Sequence, residues 1–439
     1  MKFGKVGQVA LVSATALIVA SLFTACSTLT VGFLYVATTK QTPGQMEVYE
    51  VNSESGVLRT IPTSPFPSGG RNPIAEVADA NSENLYVANN DDNNIVQFGI
   101  GTDGKLYPQS TINTPGAFPI ALALNASGAY AYVLDTLGPT AGCSLTNACP
   151  GVVAGYAVTS AATAKTGSFG QGSLGQVCST AGSTAANCTL GNPVVNSSGL
   201  GYVSLQLSAN DPTVLTPTAM NFTANGSFLY VSAYGASSGS DQGYLFAFSV
   251  NSDGSLTSLP LGPTYSLKGQ ATQMVPLPFG SQPVAMTSDT ASANLYVVDE
   301  VQNQVDTFTL ASGIPSLAST AATGNQPAAL TIFNDKYIYV ANSLDSTVTA
   351  YTISSGGLSQ ISTYAASTNP IAIAVDPRNI GFLYTVNFLG SSLSGFQINP
   401  NDGTLINTQA TPYVSSLQPT AISGVPHGGT ATAASGSSK

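Results

Sequence analysis

Seven times this chain writes a short apolar strand around a tyrosine, at Tyr35, Tyr86, Tyr132, Tyr230, Tyr296, Tyr339 and Tyr384. Each is followed by a second strand carrying an aromatic, at Tyr49, Phe98, Tyr156, Phe248, Phe308, Tyr351 and Phe396. A Pro-x-Ala strand also occurs seven times, beginning at Pro73, Pro119, Pro217, Pro283, Pro327, Pro370 and Pro419. The tyrosines lie 51, 46, 98, 66, 43 and 45 residues apart, near the roughly 40–50-residue period of propeller blades, with the longest interval read as one blade carrying insertions. The chain ends are out of phase with this count. Tyr35 has no Pro-x-Ala strand before it, and the last one, at Pro419, has no tyrosine strand after it. One unit is therefore split between the two ends, and joining its halves closes a ring and removes exposed strand edges. The expected architecture is all-β: a seven-bladed β-propeller of four-stranded antiparallel blades, in which C-terminal strand A joins N-terminal strands B, C and D.

Only 7% of residues are charged, which suits short strands and tight turns better than helices with wet charged faces. The Asp-Gly pairs in "NSDGSL" and "NPNDGTL" supply positive φ for the hairpins between strands C and D. Asp or Asn at 79, 125, 289 and 376 is placed to close the A–B turns through its own side chain. Eleven basic residues stand against twenty-one acidic ones. With no basic cluster beyond the N-terminus, nucleic acid is excluded as a partner.

The first residues, "MKFGKVGQVALVSATALIVASLFTAC", read as a processing segment: Lys2 and Lys5, an apolar run from Val9 to Phe23, then Ala25 before Cys26. "LFTAC" resembles the lipobox of bacterial lipoproteins, which implies lipidation of Cys26 and an exported protein held at the cell envelope by a lipid anchor alone. The expected organisation is a signal peptide over 1–25, a tether over 26–30, the propeller over 31–427 and a flexible tail over 428–439. Cys-bearing insertions fall at about 137–150 and 165–200. Outside the cytosol, the four further cysteines are expected to pair locally, Cys143 with Cys149 and Cys178 with Cys188.

The "LYVAN" strands, the Pro-x-Ala strands and the Asp-Gly hairpins resemble the YVTN-type propellers and the lactonase (6-phosphogluconolactonase-like) seven-bladed family, over essentially the whole chain after the leader. That resemblance implies a lactonase activity carried by a His, Glu and Arg set around the central channel. The absence of Trp separates the chain from WD-type repeats. Its one histidine, His427, is expected on the face opposite the B–C loops, or in the tail.

In this architecture the D–A and B–C loops share one face, where ligand sites on a rigid scaffold are expected. The candidates there are Asn89, Asp91, Asp92, Asp135, Asp299 and Glu300. For the asparagines the favoured role is local, tying the following loop to the strand end. No loop shows the spaced carboxylate pattern of a calcium site, and neither a metal nor another cofactor is expected. Glu76 stands out, because the six equivalent positions in the other blades hold Leu122, Met220, Met286, Leu330, Ile373 and Ile422. An acid at a position built for apolar packing needs a partner or a raised pKa. Arg71 is the candidate partner, giving a general base and an oxyanion stabiliser if both face an open channel mouth. "GASSG" at 235–239 lacks the strand-to-helix elbow of a nucleophilic serine. The favoured reading is an exported, lipid-anchored monomeric module that binds a protein or glycan through its acidic loop face. The alternative is a divergent lactonase acting on a neutral sugar lactone.

Overall fold

The computed structural model describes residues 30–39, 41–140, 142–159, 172–174, 201–237, 240–416 and 418–427. Among them every regular element is a strand. They form seven antiparallel sheets of at least four strands each, arranged as seven blades. The inner strands A are Pro73–Ala78, Ala117–Leu124, Thr216–Phe222, Pro283–Ser288, Pro327–Phe333, Pro370–Val375 and Pro419–Pro426. Each packs against the next in a closed ring around the axis. Blade one is the expected composite: Pro419–Pro426 pairs with Thr30–Thr38, which continues into Gln45–Asn52 and Leu58–Thr60.

The repeated motifs have definite physical tasks. In every blade the register between strands A and B slips by one residue at the middle of Pro-x-Ala, for example between Pro73 and Ala75 and between Pro370 and Ala372. A bulge there bends the inner strand and increases its twist. In two blades the bulged residue is a threonine that reaches the next blade: Thr420 Oγ1 donates to the Pro73 carbonyl at 2.6 Å and Thr218 Oγ1 to the Pro283 carbonyl at 2.5 Å.

The tyrosines of strand B latch each blade to its successor. Tyr35, Tyr86, Tyr132, Tyr230, Tyr339 and Tyr384 donate to the carbonyls of Gly104, Gly172, Gly254, Gly313, Gly403 and Gly56, at 2.6–3.1 Å. These glycines sit in the next blade's C–D hairpin with φ between 65° and 82°, a conformation that glycine adopts without a steric penalty. A Cβ on Gly313 would lie 2.1 Å from the Phe228 ring, and one on Gly403 2.4 Å from that of Tyr337. In five of these six latches the residue two before the tyrosine is an aromatic whose ring packs against the same glycine, and at Gly172 it is Asn84. Tyr296 lacks this bond, because the blade-six hairpin is built differently and its Gly357 carbonyl accepts from the Ser354 hydroxyl instead. The core is correspondingly divided into seven apolar seams, one between each pair of blades.

The long tyrosine intervals correspond to insertions. The connection after blade four includes a separate hairpin, Thr264–Leu267 with Gln270–Gln273. Blade three takes its outer strand, Tyr202–Ser204, from far along the chain. The Cys143–Cys149 disulfide is formed, while Cys26, Cys178 and Cys188 lie outside the described residues.

Candidate functional site

A cavity of about 490 Å3 occupies the half of the channel nearest the A–B turns, within the size range of small-molecule sites. Its wall includes Glu76, Ile373, Ile422 and Ser423 from the inner strands. Asp79, Asn125, Thr290, Asn334, Asp335, Asp376 and Asn379 contribute from the A–B turns. Space exists there because the turn-side ends of the inner strands and the turns that follow carry small residues, among them Ala78, Ala126, Gly128, Ala374 and Gly424. The candidates expected on the B–C face, namely Asn89, Asp91, Asp92, Asp135, Asp299 and Glu300, are not part of this wall.

Glu76 lies at the inner end of the cavity, where blades one and two meet. It is 2% exposed, and neither carboxyl oxygen has a hydrogen-bond partner. Burial pushes its pKa well above the ordinary carboxylate range, and the adjacent Ser423 hydroxyl and amide pull it back part of the way. The Ser423 hydroxyl is itself buried and unpartnered. The two groups thus face each other without closing a well-formed hydrogen bond. Burial and then the field of Glu76 also raise the pKa of the Tyr35 phenol.

The expected partnership of Glu76 with Arg71 is not made. Arg71 belongs to the D–A loop at the other end of the strand. Its guanidinium is 54% exposed and sits 2.6 Å from Asp92. Its backbone amide also donates to Asp92, at 2.7 Å, and Nη2 donates to the Asp91 carbonyl at 3.2 Å. The Arg71 hydrogen bond holds the Asp92 carboxyl below its usual range. An exposed arginine beside two aspartates makes a solvated pairing that avoids the desolvation cost of reaching a buried glutamate.

The other loop-face candidates are bound into their own blades. Asn89 donates to Asn94 at 2.9 Å and accepts from Ser68 at 2.9 Å. Asp91 accepts from Asn72 at 3.1 Å. Asp299 accepts from the amides of Ser281, Val301 and Gln302 at 2.5, 3.1 and 2.8 Å. Glu300 is half-buried beside it. Asp135 accepts from the Gly116 amide at 2.9 Å through one oxygen, while the other is buried without a partner, and burial raises its pKa to about 7. Asp306 belongs to none of the sequence motifs. It lines a second cavity of about 380 Å3 with Gln302, Gln304 and Thr320, and burial followed by the nearby Asp299 raises its pKa to about 6.

The turn residues that line the channel cavity were legible as turn formers only. Asp79 accepts from the Glu83 amide at 2.8 Å and from Asn84 at 2.7 Å. Asp376 accepts from the amides of Arg378, Ile380, Gly381 and Phe382 at 2.9–3.1 Å. Further links run between blades: Asn225 to Ser292, Thr290 to Asp335, Asn379 to Asn334 and Arg378 to the His427 carbonyl. His427 therefore does lie on the face opposite the B–C loops, with its ring edge-on to Phe33 at 5.6 Å. It is close in the chain to Ser423 but is not part of the cavity wall.

The class this geometry defines is the seven-bladed β-propeller with a channel cavity. Over residues 263–422 the chain matches the family model described as Lactonase, 7-bladed beta-propeller, so this stretch carries lactonase-type propeller sequence. Among solved structures it resembles a putative 6-phosphogluconolactonase from Bacteroides fragilis, with a TM-score of 0.65 and 17% identity over 91% of this chain and 99% of that one. It also resembles the periplasmic gluconolactonase of Pseudomonas aeruginosa, with a TM-score of 0.62 and 17% identity over 90% and 99% of the two chains. A Lactobacillus plantarum protein gives 0.65, with 16% identity over 90% and 100%. These are likenesses of fold. No curated protein sequence matches the chain.

Proposed function

We propose that this protein hydrolyses a lactone in the channel cavity, with Glu76 as general base. The observation that carries the reading is a fully buried carboxyl with both oxygens unpartnered, bordering a cavity large enough for a sugar ring. Leaving such a group unpaired costs folding free energy, so its presence at a position otherwise apolar is better explained by chemistry than by packing. A raised pKa also makes its ionised form a stronger base toward water. The Ser423 amide and hydroxyl are the nearest donors for orienting that carboxylate. The family match at 263–422 and the lactonase-named structural relatives agree with this reading.

The test is hydrolysis of a panel of sugar lactones by the purified protein beside its Glu76→Gln variant. Turnover above the spontaneous rate that is lost in the variant supports the reading. Equal rates for protein, variant and buffer remove it.

A second reading, a docking face for a protein or glycan partner, is favoured by one observation. Val301, Leu344 and Leu389 occupy the same B–C loop position in three successive blades and are 53%, 64% and 64% exposed. The double variant Leu344→Asp, Leu389→Asp would abolish capture of an envelope partner if that face binds one. Export and lipid anchoring at Cys26 belong to the proposal as well. The Cys143–Cys149 disulfide supports an oxidising compartment. Incorporation of labelled fatty acid that survives in Cys26→Ser would rule the anchor out.

A further inference from the structure

We propose that the channel cavity is a charge filter: it admits uncharged lactones, rejects phosphorylated ones, and expels the anionic acid that hydrolysis creates. This rests on the reading of the cavity as a lactone site. Every ionisable side chain in its wall is an acid: Glu76 at the inner end, and Asp79, Asp335 and Asp376 at the turns. Among the described residues, no Lys, Arg or His belongs to that wall.

The turn carboxylates are held in place by neutral donors, so their charge is not cancelled. Asp335 accepts from the amide and hydroxyl of Thr290 in the neighbouring blade. Asp79 and Asp376 accept from backbone amides and an asparagine. The nearby guanidinium of Arg378 is turned to the His427 carbonyl. Glu76 adds an independent sign that something enters, because it is 2% exposed and lacks any partner on either oxygen. Clefts lined by one sign of charge with low-dielectric walls focus their field inward.

The reaction changes the charge of what the cavity holds. Water forms a bond to the lactone carbonyl carbon and gives a proton to Glu76. The ring carbon–oxygen bond then breaks, and the ring oxygen leaves as a hydroxyl with that proton. The new carboxylic acid ionises and releases its own proton to solvent, and nothing is oxidised or reduced. A neutral substrate thus becomes an anion surrounded by carboxylates, and repulsion assists its release.

The experiment compares D-glucono-1,5-lactone with its 6-phosphate, and measures inhibition by D-gluconate, for the parent and Asp335→Asn. The expected result is kcat/KM at least tenfold higher for the unphosphorylated lactone, and a gluconate inhibition constant at least tenfold above the lactone KM. Asp335→Asn and added salt should each narrow both ratios, and the salt effect does not depend on the variant folding. Equal or better use of the phosphorylated lactone, or gluconate binding as tightly as the lactone, overturns the filter. If neither lactone is turned over, the wider panel of sugar lactones decides the hydrolase reading separately. Calorimetric titration with sorbitol and with gluconate then decides the filter: sorbitol binding in preference to gluconate keeps it, and equal binding or none removes it.

Discussion

Glu76 couples this protein's stability to pH in the direction opposite to a salt-bridged carboxylate. Its pKa is raised in the folded chain, so between the ordinary glutamate value and the raised one the folded state keeps a proton that the unfolded state has lost. Stability therefore falls as pH rises through that window. Asp135 acts with the same sign, over a window that ends near its folded value of about 7. Glu76→Gln carries no such charge, and the variant should unfold at higher temperature than the parent at pH 8. The gain should be on the order of 1 kcal/mol for each pH interval of one between the unfolded and folded pKa values. Near pH 4 the two proteins should coincide. Thermal melts across pH check this, and a constant difference at all pH values would mean that Glu76 is not titrating. The raised pKa also places the ascending limb of kcat/KM above the ordinary carboxylate range, and Glu76→Gln should lower kcat about 10²-fold or more. Comparing the seven repeats makes Glu76 visible in the sequence, since only one blade breaks the apolar pattern. That Arg71 pairs with Asp92 and not with Glu76 was not legible, because nearness in sequence does not say which end of a strand a loop residue occupies.

The blade is the element that repeats, and its latch makes one mutational series unusually clean. Tyr384→Phe removes a hydroxyl that donates to the Gly56 carbonyl at 2.7 Å across the ring closure, which should cost about 1–3 kcal/mol by leaving a buried acceptor unpaired. Tyr296→Phe removes a hydroxyl without that bond and should cost well under about 1 kcal/mol by the same reasoning. Urea unfolding with unchanged m-values would measure the pair, and equal costs would dismiss the latch. Gly313→Ala should be more damaging than either, since it imposes a Cβ at φ 80° against the Phe228 ring, where both backbone strain and overpacking apply. The strands, their order, the Asp-Gly turns and the Asx turns were legible because each follows from local chemistry repeated seven times. The half of the channel that stays open was not, because it depends on which inner-strand ends carry small residues facing one another across the axis. Asp79 and Asp376 were read as turn formers, and they are. Their second position, on a cavity wall, appears only when the blades are assembled.

At the level of the whole ring, closure through Pro419–Pro426 joins the two chain ends in one sheet. Without it, Thr30–Thr38 would present an unpaired edge, and the seams that hold Ala421, Ile422 and Val425 would open. A ring of blades in contact only with their neighbours behaves as a linear array once cut, with stability set by local seams rather than by the closed circuit. A chain ending at Gln418 should therefore lose the single cooperative transition and associate through its exposed edge, whereas one ending at His427 should unfold like the full-length protein. Size-exclusion chromatography and calorimetry on the two truncations distinguish these outcomes. A peptide spanning residues 419–427, added to the shorter chain, should restore the monomer by completing blade one as an added strand. Should the chain ending at Gln418 melt in one transition at the parent's temperature, the split blade would contribute nothing to holding the ring.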